Sequence, residues 1–169
     1  MQNITQEAQG GHGGAQTGRP KTLADIMAEC GKLAAEQNVI IETLKKQRKE
    51  FSYLLGDELK LYRCRGKDWS QNEFQDTVLR WKQEISFIDR RLEYHEKRLA
   101  FFKKVIELAF SSVEHAEQVM RLQEQLEVIE DRHALKMINQ IIGIHMVLSS
   151  RNSTRAKELF AADSAAGGN

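Results

Sequence analysis

The chain carries two long stretches in which mostly apolar residues recur in alternating steps of three and four. The first stretch runs from Leu23 to Leu54, and the second runs from Phe74 to Ala109. A repeat of 3.5 residues places these side chains on one stripe of a helix, and such a stripe packs lengthwise against another helix. The pattern therefore predicts two long helices, each of which needs a helical partner.

The segment between the two stretches breaks this repeat. It contains Gly66, and Ser70 with Glu73 matches the capping box that begins many helices. A chain that folds back at Gly66 brings the two stripes together. The expected fold is therefore all-α, built on a long antiparallel helical hairpin (a coiled coil) with helices over about residues 22–62 and 71–110.

This fold-back predicts specific pairs across the hairpin. Phe51 is expected to face Trp81, and Gln37 is expected to face His95. The polar pair would fix the register, because a shifted alignment sets each polar group against apolar neighbours.

A third helical segment is predicted over about residues 112–150, with a short helix over 153–161. Ser111 and Glu114 match a second capping box, which favours a boundary at this point. No glycine or proline lies between residues 110 and 120 to enforce a reversal of the chain. Two architectures remain open, a three-helix bundle and an extended rod in which helix two continues.

The apolar stripe changes phase in this third segment. Val113, Ala116 and Met120 continue the stripe of helix two, whereas Leu122 and Leu126 lie on a shifted stripe. The segment is thus expected to contact more than one neighbouring helix.

Both ends of the chain are predicted to be disordered. Residues 1–21 are rich in glycine and lack an apolar period, and residues 163–169 are small or polar. Thr22 with Asp25 matches a capping box at the start of the first helix. A single helical domain is therefore expected over residues 22–162, as the length of 169 residues suggests.

The third segment also holds more large apolar residues than one stripe can bury. Side chains that point in several directions around a helix must be covered on several sides. This surplus predicts an interface with a protein partner, most simply a second copy in a homo-oligomer. The residues expected to form that interface are Ile138, Ile141, Ile142, Met146 and Leu148.

Helix two carries a run of basic residues that could bind an anion. The net charge of the whole chain is only +1, and acidic residues are interleaved with the basic ones. Such alternation is typical of a solvated helix face, so nucleic acid or a membrane surface is an expected partner only as an alternative. The residues of this basic run are Arg90, Arg91, Lys97, Arg98, Lys103 and Lys104.

No set of residues predicts catalysis, a cofactor, a metal or a small-molecule substrate. Glu130 and His133 have the spacing found in carboxylate-bridged di-iron bundles, but such bundles need this motif from two helices, and the sequence contains it once. Cys30 and Cys64 fit no metal or redox spacing and are expected to lie far apart in the hairpin.

The first residues, Met1–Glu7, are polar and lack the basic and apolar regions of a secretory signal peptide. This predicts a cytoplasmic protein, or one that is exported without a cleaved signal. The leader and the long hairpin resemble those of bacterial type III secretion components. The resemblance implies a secreted structural subunit, a chaperone or a stalk protein.

The function expected from these patterns is that of a non-enzymatic structural, adaptor or assembly protein. It would act through helix–helix contacts and would associate with itself. The alternatives are a type III secretion-associated component and a protein that binds nucleic acid or a membrane surface through the basic run.

Overall fold

The computed structural model describes residues 21–65 and 71–166, which form three helices. Helix α1 spans Leu23–Arg65, α2 spans Gln71–Leu126 and α3 spans Arg132–Ala166. No strand occurs in the described ranges, which confirms the all-α prediction.

Two predictions concern residues outside these ranges. The turn at Gly66 lies there, as do residues 1–20 of the predicted N-terminal tail and residues 167–169 of the C-terminal one.

The predicted capping box begins α1. The backbone N–H of Thr22 donates to Oδ2 of Asp25 at 2.8 Å, and the N–H of Asp25 donates back to Oγ1 of Thr22 at 3.2 Å. These bonds satisfy donors that have no partner within the first turn of a helix. The hydroxyl of Thr22 also donates to Oδ2 of Asp25 at 2.7 Å, and this bond together with the one from the Thr22 N–H holds the pKa of the Asp25 carboxyl below its usual value.

Helices α1 and α2 form the predicted antiparallel hairpin. The rings of Phe51 and Trp81 lie 5.4 Å apart, centroid to centroid. Nδ1 of His95 lies 2.7 Å from Oε1 of Gln37 and forms a hydrogen bond with it. Both cross-hairpin pairs are therefore confirmed, and the polar layer is satisfied within the hairpin.

The boundary predicted at Ser111 is wrong, because α2 runs without interruption to Leu126. The hydroxyl of Ser111 does not cap a helix; it accepts the side-chain N–H of Asn152 in α3 at 3.1 Å, and the neighbouring Ser112 donates to the carbonyl of Ser149, 2.8 Å away. The chain reverses instead at residues 127–131. There Oδ1 of Asp131 accepts the N–H of His133 and caps α3.

The second predicted boundary, near residue 150, is also absent. Helix α3 continues from Arg132 to Ala166, so there is no separate short helix, and the helix extends beyond the expected end at residue 162. Ser149 and Asn152 hydrogen-bond across to α2, which explains why polar residues at these positions do not end the helix.

The observed architecture combines both alternatives that the sequence left open. Helix α2 continues well beyond the expected boundary, as in the rod, and α3 then folds back along it, as in the bundle. Arg98 near the middle of α2 pairs with Asp163 near the end of α3, and Ser112 pairs with Ser149. These pairs show that α2 and α3 are antiparallel.

The three helices come together only in the middle of the molecule. This central region has a core of buried residues from all three helices, namely Ile26, Cys30, Ala34, Phe102, Val105, Ala109, Ala156 and Phe160. Two pairs of helices project from it in opposite directions. We call residues 45–64 with 73–91 the α1–α2 arm, and residues 113–148 the α2–α3 arm.

Candidate interaction surfaces

The seam between the helices of the α2–α3 arm begins with polar side chains. Ser112 donates to the carbonyl of Ser149, and the hydroxyl of Ser149 donates to the carbonyl of Ser112 at 2.9 Å. One turn further along the arm, Nδ1 of His115 lies 2.9 Å from Nδ1 of His145. Such a contact needs one proton between the two rings, since one nitrogen must donate and the other must accept.

The five residues predicted to form an interface are divided by this seam. Ile142 is only 6% exposed and packs inside the arm, and Ile138 and Leu148 are half-buried. Ile141 and Met146 are exposed. The predicted set therefore mixes residues that hold the arm together with residues that are free to bind.

A stripe of exposed apolar residues lies on the outer side of α3. Ile144 is 59% exposed, and Met137 and Ile141 accompany it at helical spacing. Val147 lies beside this stripe and is also exposed. Sequence reasoning found Ile141 and missed the other three, because periodicity alone does not tell which of several apolar stripes faces the neighbouring helix.

A groove on α2 lies along the extended axis of α1, just past Leu23, the first residue of that helix. In the central region α1 covers one stripe of α2, which includes Phe102 and Ala109. The same stripe continues into the α2–α3 arm, where no helix of the described chain covers it. We call this surface the Met120 groove. Its apolar lining consists of Leu23, Val113, Ala116, Val119, Met120 and Met146, and the rest of the lining is Glu117 and the serines Ser112, Ser149, Ser150 and Ser153.

A second groove continues the line of α3 beyond its last residue. Arg98 contacts Asp163 close to the end of α3. Four, seven and eleven residues earlier on the same stripe of α2 come Tyr94, Arg91 and Phe87. We call this surface the Tyr94 groove; it is lined by Phe87, Arg90, Arg91, Tyr94 and His95.

The two arms carry opposite net charge. The α2–α3 arm has six acidic residues and three basic ones, and the acidic ones are Glu114, Glu117, Glu124, Glu127, Glu130 and Asp131. The α1–α2 arm has seven acidic residues and ten basic ones, and the basic ones are Lys45, Lys46, Arg48, Lys49, Lys60, Arg63, Arg80, Lys82, Arg90 and Arg91.

Much of the predicted basic run is engaged within the chain. Lys97 pairs with Glu93, and Lys104 pairs with Glu107. Arg98 pairs with Asp163 and also donates to the hydroxyl of Tyr94 at 3.1 Å. The part of the run that lies within a groove is Arg90 and Arg91, and the guanidinium of Arg91 lies 5.8 Å from the ring centre of Phe87.

His95 links the Tyr94 groove to the interior of the hairpin. Its ring lies edge-on to that of Tyr94 and binds Gln37 in α1. Burial lowers the pKa of His95 below its ordinary value of 6.5, and the positive charges of Arg91 and Arg98 lower it further. Each of these effects disfavours the charged imidazolium.

The residues considered for catalysis and metal binding are not brought together. Glu130 lies in the turn and His133 in the first turn of α3, so they do not share a helical face. Within residues 21–65 and 71–166, no group of three His, Cys, Asp or Glu side chains could hold a metal ion.

The two cysteines are both free thiols. Cys30 is buried in the central region, while Cys64 is exposed close to the end of α1. Burial raises the pKa of the Cys30 thiol to about 11, and the charges of Glu29 and Asp163 add to this effect. A buried thiol that keeps its proton acts as a small apolar side chain, since the thiolate is the nucleophilic form.

No helix in the described part of the chain is long and apolar enough to cross a membrane. Comparison with known protein families, with curated proteins and with solved structures finds no match. The features of the molecule that bear on its function are the two grooves, the outer stripe of α3 and the charge of the arms.

Proposed function

We propose that this protein is a non-enzymatic assembly protein that associates with itself through helix–helix contacts of the α2–α3 arm. The observation that carries the proposal is the apolar surface that the arm leaves exposed, in the Met120 groove on α2 and in the stripe of Met137, Ile141 and Ile144 on α3. Contiguous apolar surfaces on a helix are typical of sites where another protein packs.

The arm gains little stability from its own interior. Among its described residues, Ile142 alone is buried, and the base of its seam is occupied by hydrogen-bonded serines and histidines. The large apolar side chains consequently lie outside, where water surrounds them. Packing a second helical surface against the arm would remove them from water.

The free energies of burial and of association favour an interface that buries several of these residues together. Full burial of one large aliphatic side chain is worth about 1.5–3 kcal/mol. Association costs about 4–15 kcal/mol in lost translational and rotational freedom. One or two exposed residues would not offset this cost, whereas an arm that presents an apolar stripe and an apolar groove can do so.

The test is sedimentation velocity of the full chain over a range of concentrations. We expect the wild type to form species larger than one chain, and Val113→Asp with Met120→Asp to shift the distribution to the monomer with helicity retained. Phe110→Asp is the matched control, because Phe110 is similarly exposed on α2 in the central region. A wild type that stays monomeric at all concentrations would refute self-association.

The other functions suggested by the sequence remain proposals with less support. The likeness to type III secretion components depends partly on residues 1–7, which lie outside the described ranges. Anion binding by the basic run would have to use Arg90, Arg91 and Lys103, because Lys97, Arg98 and Lys104 are paired with acidic residues.

A further inference from the structure

Each groove lies where the three described helices of the central region give way to two. In the central region α2 contacts both α1 and α3. Among the described residues, no third helix covers α2 at the Met120 groove, and none covers it at the Tyr94 groove. Each arm is therefore a pair of helices with one open side.

The two open sides differ in chemistry. The Tyr94 groove presents aromatic side chains flanked by arginine: Phe87 is 52% exposed and Tyr94 is 55% exposed. The Met120 groove presents aliphatic and thioether side chains, flanked by Glu117 and by serine hydroxyls. Aromatic rings pack favourably with methionine sulfur, and arginine pairs with carboxylates.

The net charges of the two arms also favour a contact between the two different grooves. Two α2–α3 arms would bring like negative charges together, and two α1–α2 arms would bring like positive charges together. An α2–α3 arm against an α1–α2 arm joins opposite charges. Such complementarity favours the unlike pairing and opposes the like pairings.

Residues 1–20 precede α1 in the sequence and are another segment of this chain to consider as the occupant of the Met120 groove. Their composition argues against this, because the segment holds five glycines and a proline and few large apolar residues. It offers neither the apolar side chains nor the positive charge that the groove would select.

We propose that the second copy binds head to tail, with the Met120 groove of one chain packed against the Tyr94 groove of the next. This inference rests on the proposed self-association and adds its geometry. The two contacting surfaces are different, so the contact is heterologous. Repeating it builds a ring if the rotation closes and an open filament if it does not.

The experiment uses two full-length variants, each with one groove disabled. Phe87→Gln with Tyr94→Gln removes the apolar part of the Tyr94 groove, and Val113→Gln with Met120→Gln removes that of the Met120 groove. All four residues are exposed, and glutamine is a good helix former, so the fold should be kept. Circular dichroism checks this, and Phe110→Gln serves as the control.

The head-to-tail arrangement predicts a distinctive result on mixing. Each variant alone should be unable to extend beyond the monomer, because every contact needs both grooves. A mixture of the two still contains one intact groove of each kind and should form a discrete pair of one chain of each variant. Sedimentation equilibrium, or native mass spectrometry with one variant isotope-labelled, measures this pair.

The outcomes distinguish failure of the head-to-tail contact from failure of self-association. A wild type that associates, together with variants that form the mixed pair, supports the proposal. A wild type that associates but whose variants give no mixed pair overturns the head-to-tail contact and leaves self-association standing. A monomeric wild type removes the proposed function itself. Raising the salt concentration should weaken the mixed pair, since screening acts on exposed charges.

Discussion

The two arms of the molecule are both two-helix hairpins, yet they are closed in different ways. The α1–α2 arm is closed by large rings, including the pair Phe51 and Trp81. The α2–α3 arm is closed at its base by small or hydrogen-bonding groups, such as Ser112 with Ser149. Small side chains let helices meet without burying much apolar area, so the large apolar residues of this arm lie outside.

This difference shows that the number of apolar residues in a segment does not tell how many are buried. The α2–α3 arm contains the most apolar part of the chain, but only Ile142 is buried among its described residues. The α1–α2 arm has a more polar sequence and also one buried described residue, Ile88, which joins a larger cluster at its base. The arm with the greater apolar surplus is therefore the one with the greater need of a partner.

The largest expected effect comes from truncating the one buried residue of each arm. Ile88→Ala should cost about 2–5 kcal/mol of unfolding free energy, because it leaves a cavity among Ile41, Leu44 and Leu92. Ile142→Ala should fall at or below about 2 kcal/mol, because the wall around it is thinner and can relax. Urea denaturation followed by circular dichroism measures both. Equal costs would contradict the comparison of the two arms.

A medium effect is expected from the serine pair at the base of the α2–α3 arm. Ser112 is buried, and Ser112→Ala removes its hydrogen bond to the carbonyl of Ser149. The expected loss is about 0.5–1.5 kcal/mol, the net value of one hydrogen bond, because the carbonyl of Ser149 keeps its partner within α3. Ser150→Ala is the control, since Ser150 is exposed and close by on α3. If both variants unfold at the same urea concentration, the pair does not stabilise the arm.

The smallest expected effect is the pH dependence that His95 contributes to the α1–α2 hairpin. Its folded-state pKa is lowered, so the unfolded chain binds the proton more tightly. The stability linked to His95 is thus complete well above the ordinary value of 6.5 and declines as the pH falls through it. His95→Gln should reduce the decline in stability between about pH 8 and about pH 5. The other histidines are present in both proteins, so the difference isolates His95; identical pH profiles would contradict this role.

Much of the fold could be predicted because heptad stripes constrain register. The pairs Phe51–Trp81 and Gln37–His95 follow from the two stripes and a reversal near Gly66. The bounds of the third segment could not be predicted in the same way. Serine caps helices and also bridges closely packed ones, and at Ser112 and Ser149 the second role applies.

The sequence marks the observed reversal at residues 127–131 only weakly. Asp131 precedes His133 in the arrangement of a helix cap, but no glycine or proline marks residues 127–131. Of the candidate surfaces, the Met120 groove could be recognised in the sequence, because the stripe of Val113, Ala116 and Met120 continues beyond the part of α2 that pairs with α1. The Tyr94 groove was not, because recognising it requires knowing that α3 ends at Ala166.

Helices α1 and α3 pack along different parts of α2 that overlap only in the central region. This arrangement also affects how the chain folds. Both pairings join segments that are adjacent in sequence, so each needs only a short loop to close, and such local topologies form quickly. Synthesis releases α1 and α2 before α3. The first hairpin can therefore assemble while the side of α2 that includes Val105 is still bare. Until α3 emerges and covers it, that side is the surface of the nascent chain most exposed to wrong pairing.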